Sequence, residues 1–216
     1  MVLLVRHGRT LANARGVLAG RMPGVDLDGT GRRQVRSLAA RLREVPLDEI
    51  VHSPLERCVQ TAAGLADGRG APVPMRADPR LLECDYGSWA GRALSELARE
   101  PLWATIQAQP SAVVFPGGES MVEMSARGVA AVREAVDLNP RGVVAVVTHG
   151  DVIKAILSDA LGQPFDSFQR IAVAPGSLSL VAYGAERPVV LGMNLTGGRI
   201  RIRREPAEPT VGGGAG

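Results

Sequence analysis

The chain has 216 residues, of which 45% are hydrophobic and 22% charged, and its formal net charge is +3 at pH 7. A chain of this length favours one compact domain over two, and this composition excludes the disordered and fibrous classes of protein. No apolar run is longer than that of residues 143–147, which is far shorter than the roughly 18 residues that a membrane helix requires, so membrane-spanning proteins are excluded as well.

The cationic residues do not form the pattern of a nucleic-acid surface. Lys154 is the only lysine, the arginines are spread along the chain apart from a cluster at 199–204, and aromatic residues make up only 3%. Single-stranded nucleic-acid sites combine cations with aromatic side chains on which bases stack, so we expect no nucleic-acid partner. The N-terminal residues lack the basic lead and long apolar stretch of a secretion signal, which predicts a cytoplasmic location and no membrane partner.

Short apolar runs alternate with segments of helical periodicity along the chain. Residues 3–5, 49–51 and 143–147 are predicted strands, and 177–183 and 189–193 are further ones. Three sets of apolar residues spaced by three or four predict amphipathic helices: Val35, Leu38, Ala39 and Leu42; Val122, Ala126, Val129, Val132 and Val136; Ile153, Ile156, Leu157, Ala160 and Leu161. This alternation predicts an α/β fold, a three-layer α/β/α sandwich with a mainly parallel central sheet.

Two four-residue segments have the composition of a capped helix start. They are S-P-L-E at residues 53–56 and S-M-V-E at residues 120–123. In such a capping box the serine hydroxyl and the glutamate carboxylate each accept a hydrogen bond from the other residue's backbone N–H, and proline is favoured at the first helical position. We therefore predict that helices begin directly after Ser53 and Ser120.

All three histidines, His7, His52 and His149, directly follow a predicted strand. In sheets of this kind, ligands bind beyond the carboxyl ends of the strands, so the histidines are candidates for a site there. Their spacing has no metal-binding pattern, and we predict no metal. The two cysteines, Cys58 and Cys84, are too few for a disulfide framework and are expected to be reduced thiols.

The segment Arg6-His7-Gly8 brings together groups that suit a phosphoryl ligand, with the Asn13 amide shortly after it. Arginine forks match phosphate oxygens and keep their charge. Arginines beside His7 disfavour the imidazolium, and a neutral histidine can act as a nucleophile. The alternative is a strand-end histidine whose ring is satisfied by the backbone.

Three further motifs follow in order. Arg57 lies in the first turn of a predicted helix, where backbone amides already favour an anion. The segment 80–91 supplies the carboxyls of Glu83 and Asp85. The third motif is V-T-H-G at residues 147–150, which contains His149 and Gly150. With these four motifs in this order, over roughly residues 3 to 160, the chain resembles the histidine phosphatase superfamily, also called the phosphoglycerate mutase-like family.

The resemblance implies a role for each matching residue. His7 is the nucleophile that becomes phosphohistidine, and Glu83, selected over Asp85 by the E-x-x-Y-G-x-W-x-G context, protonates the leaving oxygen and then activates water. His149, Arg6 and Arg57 complete the catalytic set. The implied phosphate ligands are Arg6, His7, Asn13, Arg57 and His149.

The implied activity is that of a metal-independent and cofactor-independent histidine acid phosphatase-like phosphomonoesterase. It would act on a small phosphorylated metabolite and release inorganic phosphate. A phosphoglycerate mutase-type phosphomutase is the alternative enzyme, and a non-catalytic phosphate-binding regulator is the alternative of another class. A homodimer is left open, and no role is assigned to His52, Cys58 or Cys84.

Residues 1–198 are predicted to form the histidine-phosphatase-like catalytic domain. Residues 199–216 form a basic and then Pro/Gly-rich tail that is expected to be mobile. We expect substrate specificity to come from residues 91–116, which carry mixed apolar side chains and few charges.

Overall fold

The computed structural model describes residues 1–184, 187–200 and 202. Six strands form one sheet in the spatial order β3-β2-β4-β1-β5-β6. Their bounds are β1 Val2–Arg6, β2 Glu49–His52, β3 Met75–Ala77, β4 Val144–Thr148, β5 Leu178–Ala182 and β6 Val189–Leu195. The first four strands in chain order pair in parallel, whereas β5 and β6 are antiparallel to their neighbours.

Helices cover both faces of this sheet, which confirms the predicted fold class. The helices are α1 Leu11–Arg15, α2 Gly29–Arg41, α3 Glu56–Ala66, α4 Leu94–Leu97, α5 Pro101–Ala108, α6 Met121–Leu138 and α7 Gly150–Ala160. One hydrophobic cluster joins α2 and α3 to the sheet, and a larger one joins α6 and α7 to its other face.

Strand β1 shows why the apolar runs are continuous. Leu3 and Val5 belong to the α2/α3 cluster, whereas Val2 and Leu4 belong to the α6/α7 cluster. Successive side chains of a strand point to opposite faces, so a strand covered on both faces needs an apolar residue at every position. β3 was missed in the sequence because its three residues are exposed or half-buried and carry no such run.

The capping box at Ser120 is confirmed, and the predicted apolar face of α6 is confirmed in part, because Val132 is buried and Val129 and Val136 pack against the core. The Ser120 hydroxyl accepts a hydrogen bond from the backbone N–H of Glu123, and the Glu123 carboxylate accepts one from the backbone N–H of Ser120. The buried positions are Met121, Met124, Gly128, Ala131, Val132 and Ala135, whereas Val122 is 47% exposed. A Cβ at Gly128 would lie 2.9 Å from Val152 Cγ1, so this glycine allows α6 and α7 to approach closely and sets the buried face.

The helix predicted to begin after Ser53 begins later. α3 starts at Glu56, and its N-cap residue Leu55 makes no side-chain cap hydrogen bond. The Ser53 hydroxyl lies instead 2.8 Å from Nε2 of His149. This contact occupies the hydroxyl group that a capping box would have used.

The predicted tail falls mostly outside the described residues. Within 199–216 the structure describes Arg199, Ile200 and Ile202, and both isoleucines pack against the α2/α3 cluster. In the part of the chain that the structure describes, no helix combines the length and apolar character needed to cross a membrane.

Candidate active site

The candidate site lies at the carboxyl ends of the parallel neighbours β1 and β4. Because their register is aligned, the residues that follow them come together, and the ring centroids of His7 and His149 are 5.2 Å apart. Arg57, the second residue of α3, bridges the two rings. Together with Arg6 and Glu83, His7 and Arg57 line a cavity of about 410 Å³.

The hydrogen bonds of His7 assign its tautomer. Nδ1 lies 2.8 Å from the carbonyl oxygen of Gly8, so it carries the proton and donates. Nε2 accepts from Nε of Arg57 at 3.3 Å, which places a lone pair on the nitrogen that faces the cation. Burial and the charges of Arg57 and Arg6 hold the pKa of His7 well below its ordinary value, so the ring is neutral.

Arg57 is 2% exposed, and three of its nitrogen atoms have different surroundings. Nε donates to His7, while Nη2 donates to the carbonyl of Gly20 at 2.7 Å and to Nδ1 of His149 at 3.2 Å. Nη1 is buried and has no hydrogen-bond partner among the described residues. One charged N–H group of this guanidinium is therefore unsatisfied.

Arg6 shows the same feature. Its Nη1 donates to the carbonyl of Val173 at 2.5 Å, whereas its buried Nε has no partner in the described part of the chain. A Cβ at Gly150 would lie 3.3 Å from Cζ of Arg6, so the first residue of α7 leaves the space that this guanidinium needs. Burial lowers the pKa of Arg6 from its usual value, yet the group remains a cation.

His149 lies behind Arg57 rather than on the cavity surface. It is fully buried and is not among the described residues that line the cavity. Its Nδ1 accepts from Arg57, and its Nε2 donates to the Ser53 hydroxyl at 2.8 Å. In this arrangement His149 holds Arg57 in place, and its predicted role as a direct phosphate ligand stays a prediction.

Asn13 lines the cavity, but its side-chain oxygen is already engaged. It accepts from the backbone nitrogen of Thr10 at 3.1 Å and from the Thr10 hydroxyl at 3.0 Å, which closes the start of α1. The side-chain NH₂ group of Asn13 is thus the donor left for a phosphate oxygen.

Glu83 has the properties of a carboxylic acid that holds its proton near neutrality. It is 9% exposed, and its Oε1 accepts from the backbone nitrogen of Cys84 at 3.1 Å. Burial, and then the nearby carboxylate of Asp151, raise the pKa of Glu83 to about 7 against the opposing charges of Arg57 and Arg6. The other candidate, Asp85, is a half-exposed partner of Arg21 and does not line the cavity.

A polar group that the sequence did not predict lies beside Glu83. Asp151 accepts a hydrogen bond from the Tyr86 hydroxyl at 2.8 Å and lies 3.4 Å from Nζ of Lys154. Lys154 also donates to the side-chain oxygen of Gln169 at 2.9 Å. Asp151 stands two residues after His149, and that proximity is the signal that would have found it.

A second group of residues that was not predicted from the sequence holds the backbone of Glu83. The Glu83 carbonyl accepts from Nε of Arg21 at 2.9 Å and from Nη2 of Arg127 at 3.0 Å. Glu119 accepts from both of these arginines, at 2.8 and 2.6 Å, and Arg127 also donates to the carbonyl of Leu82. We call this group the Arg127 clamp. It fixes the loop that carries the Glu83 carboxyl.

The remaining histidine and the cysteines lie away from the cavity surface. His52 is buried at the end of β2, and its Nδ1 lies 2.9 Å from the Ser53 carbonyl oxygen. Both cysteines are free and buried, and burial raises the pKa of Cys58 to about 12 and that of Cys84 further. Among the described residues, no group of three or more His, Cys, Asp or Glu is arranged to hold a metal ion.

Comparison with known proteins places this site in a family. The family model described as the histidine phosphatase superfamily (branch 1) matches residues 2–196. The chain belongs to this superfamily. A relative named as a probable phosphoglycerate mutase GpmB, from Yersinia pestis, is 34% identical over 184 residues, which are 84% of each chain.

Solved structures of superfamily proteins share the fold. YhfR of Bacillus stearothermophilus is 26% identical with a TM-score of 0.80, covering 88% of this chain and 94% of its own. A mycobacterial glucosyl-3-phosphoglycerate phosphatase, solved with VO3, is 27% identical with a TM-score of 0.79, covering 89% and 98%. The chain is thus similar to relatives named as a mutase and as a phosphatase, which supports an enzyme of this superfamily without fixing the type of reaction.

Proposed function

We propose that this protein is a metal-independent phosphomonoester hydrolase that acts through a phosphohistidine on a small phosphorylated metabolite. The observation that carries the proposal is the pair of unpartnered buried donors, Nε of Arg6 and Nη1 of Arg57, beside the lone pair of a neutral His7. An unsatisfied buried donor costs about 1 to 3 kcal/mol, and more when it is charged. The oxygens of a phosphate dianion satisfy both donors.

In the first half-reaction Nε2 of His7 attacks phosphorus. The N–P bond forms, the bond from phosphorus to the ester oxygen breaks, and the Glu83 carboxyl gives its proton to that oxygen. The hydrogen bond from Nδ1 to the Gly8 carbonyl stabilises the positive charge that the ring acquires. Arg6 and Arg57 stabilise the negative charge of the transferring phosphoryl group. Because Nε2 of His7 is now bonded to phosphorus, Nε–H of Arg57 donates its hydrogen bond to a phosphoryl oxygen instead.

In the second half-reaction Glu83, now a carboxylate, takes a proton from water as the water oxygen attacks phosphorus. The N–P bond breaks, inorganic phosphate leaves, and His7 returns to its neutral form. A general acid that later serves as a base works best with a pKa near the operating pH. The raised pKa of Glu83, at about 7, suits both duties.

The cations of the cavity favour hydrolysis over mutase chemistry. Besides Arg6 and Arg57, Lys154 is the one cation among the described lining residues, and it is paired with Asp151. Arg92, from the stretch expected to set specificity, pairs with Glu100 at 2.7 Å and does not line the cavity. A sugar-acid substrate needs a cation for its carboxylate, and the described site does not offer a free one.

The experiment that tests the proposal incubates the protein with 3-phosphoglycerate and a trace of the 2,3-bisphosphate, and separately with a panel of phosphorylated metabolites. We expect release of inorganic phosphate from esters of the panel and slow or absent interconversion of phosphoglycerates. Rapid appearance of 2-phosphoglycerate without free phosphate would establish the mutase instead. Binding of phosphate without turnover of any ester would establish the non-catalytic regulator.

Loss of Arg57 should weaken the binding of phosphate and of vanadate. A charge-assisted hydrogen bond contributes roughly 1.5 to 3 kcal/mol, so Arg57→Ala should reduce vanadate affinity by about 10- to 150-fold. Arg57→Lys should recover only part of the loss, because an ammonium lacks the fork geometry. Inhibition titrations give the affinities, and thermal unfolding shows whether the variants are folded.

The matched control is Arg133→Ala, which removes an exposed arginine paired with Asp159 and should leave vanadate affinity unchanged. Chelators should leave the activity of the wild-type protein unchanged. Activity that a chelator abolishes and a divalent metal restores would contradict the metal-free mechanism.

We further propose that residues 1–198 act as the catalytic domain and that the enzyme is cytoplasmic.

A further inference from the structure

The cavity has two chemically different parts. Its floor carries the charged groups around His7. The rest is lined by the polar side chains of Gln107 and Gln169 and by apolar side chains from separate segments of the chain, which we call the apolar wall: Val17, Leu18, Leu94, Trp103, Ile106 and Ile171. The phosphoryl group of a substrate belongs on the floor, so the wall faces the part of the substrate that leaves with the ester oxygen.

Backbone hydrogen bonds hold the first part of the wall together. The amide of Leu18 donates to the carbonyl of Arg92 at 3.0 Å, and the amide of Leu94 donates to the carbonyl of Gly16 at 2.7 Å. The segment after α1 and the start of α4 are therefore joined as a short antiparallel pair. Leu94 remains 38% exposed at this place, so an apolar ligand would remove hydrophobic surface from water.

Helix α5 supplies the second part of the wall. Trp103 and Ile106 stand three residues apart, which places them on one face of the helix. Ile171 approaches from the segment whose Val173 carbonyl accepts from Arg6. An aromatic ring and two branched side chains thus line the same cavity as Leu18 and Leu94, as in sites that bind an apolar ligand body.

The polar groups among the apolar side chains leave little net charge for an anionic substrate to meet. The carboxylate of Asp151 lies 3.4 Å from the ammonium of Lys154, and Lys154 is further engaged by Gln169 and by the face of the Phe168 ring, 5.1 Å from its centroid. A second carboxylate or phosphate on the substrate would lose its hydration without gaining a free cation among the described lining residues.

We propose that the substrate class of this enzyme is phosphate monoesters whose alcohol is uncharged and carries an apolar, ring-sized body, rather than phosphorylated sugar acids or bisphosphates. This inference rests on the proposed hydrolase function. The apolar wall binds the body of the alcohol, while the phosphate occupies the floor. Discrimination against anionic alcohols follows because Lys154, the one cation near the wall among the described lining residues, is already paired with Asp151.

The test compares three esters of primary alcohols, so that the bond broken is the same in each. They are 3-phenylpropyl phosphate, glycerol 3-phosphate and 3-phosphoglycerate, and the readout is kcat/KM for release of inorganic phosphate. Burial of a phenyl ring predicts a preference of about 10- to 100-fold for 3-phenylpropyl phosphate over glycerol 3-phosphate. 3-Phosphoglycerate should be the poorest of the three.

Two variants test the wall itself through ratios of kcat/KM, which cancel any difference in the amount of folded enzyme. Trp103→Ala should lower the phenylpropyl-to-glycerol ratio by about tenfold. Leu94→Arg places a cation on the wall at a half-exposed position and should raise the phosphoglycerate-to-glycerol ratio by about tenfold. Leu138→Ala, a change at a 63% exposed leucine at the end of α6, should change neither ratio.

The outcomes separate the two proposals. If glycerol 3-phosphate or 3-phosphoglycerate is hydrolysed faster than 3-phenylpropyl phosphate, or if Trp103→Ala and Leu94→Arg leave the ratios at their wild-type values, the inference on substrate class is overturned while the hydrolase stands. If none of the three esters releases phosphate while esters of the metabolite panel do, the inference is overturned and the hydrolase stands. If neither the three esters nor the panel release phosphate, the proposed hydrolase is overturned and the inference falls with it.

Discussion

His7→Ala should abolish turnover of every phosphomonoester, with a loss of roughly 10⁴- to 10⁶-fold, as expected when a covalent nucleophile is removed. The lone pair on Nε2 is the nucleophile, and it is available near neutral pH because burial and the charges of Arg57 and Arg6 lower the pKa of the ring. In the wild-type protein, rapid quenching after brief incubation with labelled substrate should trap the phosphoryl group on this residue. The adduct should be stable in alkali and lost in acid, as a phosphoramidate is.

The chain offers a matched control for this experiment. His52 is also buried and also stands at the carboxyl end of a parallel strand, but it does not line the cavity. His52→Asn should keep the label, and mass spectrometry of the labelled peptide should place it on His7. Label that persists in His7→Ala, or an adduct that survives acid, would show that another residue is the nucleophile.

Glu83→Gln should slow the hydrolysis of alkyl phosphates by about 10²- to 10⁴-fold, the typical contribution of general acid catalysis. The leaving alkoxide needs a proton, and a glutamine amide cannot supply it. The loss should be much smaller for 4-nitrophenyl phosphate, because its leaving group departs as a stable anion. Steady-state kinetics on both substrates give the comparison, and equal losses on the two would mean that Glu83 has another role.

The same residue sets the expected pH dependence. Glu83 must hold its proton when the first half-reaction begins, and its pKa is raised to about 7. The protonated form is lost as the pH rises through that value, so kcat/KM for an alkyl phosphate should fall above about pH 7. This basic limb should be absent in Glu83→Gln, and a limb that persists there would assign it to a different group.

Loss of the Arg127 clamp should slow hydrolysis in the same substrate-dependent way as loss of the Glu83 carboxyl, but to a smaller extent. Arg127 donates to the carbonyls of Leu82 and Glu83 but does not line the cavity, so it is a positioning residue. Arg127→Met should lower activity on alkyl phosphates more than on 4-nitrophenyl phosphate. A purely structural role would lower both equally. Arg133→Ala, on the same helix, serves as the control.

The sequence by itself determined five of the six strands that the structure describes and the edge of the sheet where the candidate site lies. Strands β1 and β4 were readable because a strand buried on both faces must be apolar at every position. Their parallel arrangement brings the following residues, His7 and His149, to one edge. Arg57 was also placed correctly in the first turn of α3, even though that helix begins later than its serine suggested.

Only the tertiary structure decided how these side chains face one another. His149 lies behind Arg57, and Ser53 binds this histidine instead of capping a helix. The clamp joins Arg21 to Glu119, residues 98 positions apart in the chain. The spacing of apolar residues in a segment predicts the secondary structure and the buried face of that segment alone. Contacts such as these depend on how segments distant in the chain pack together. The pKa of Glu83 is raised by burial and by Asp151 for the same reason: both are properties of the folded chain.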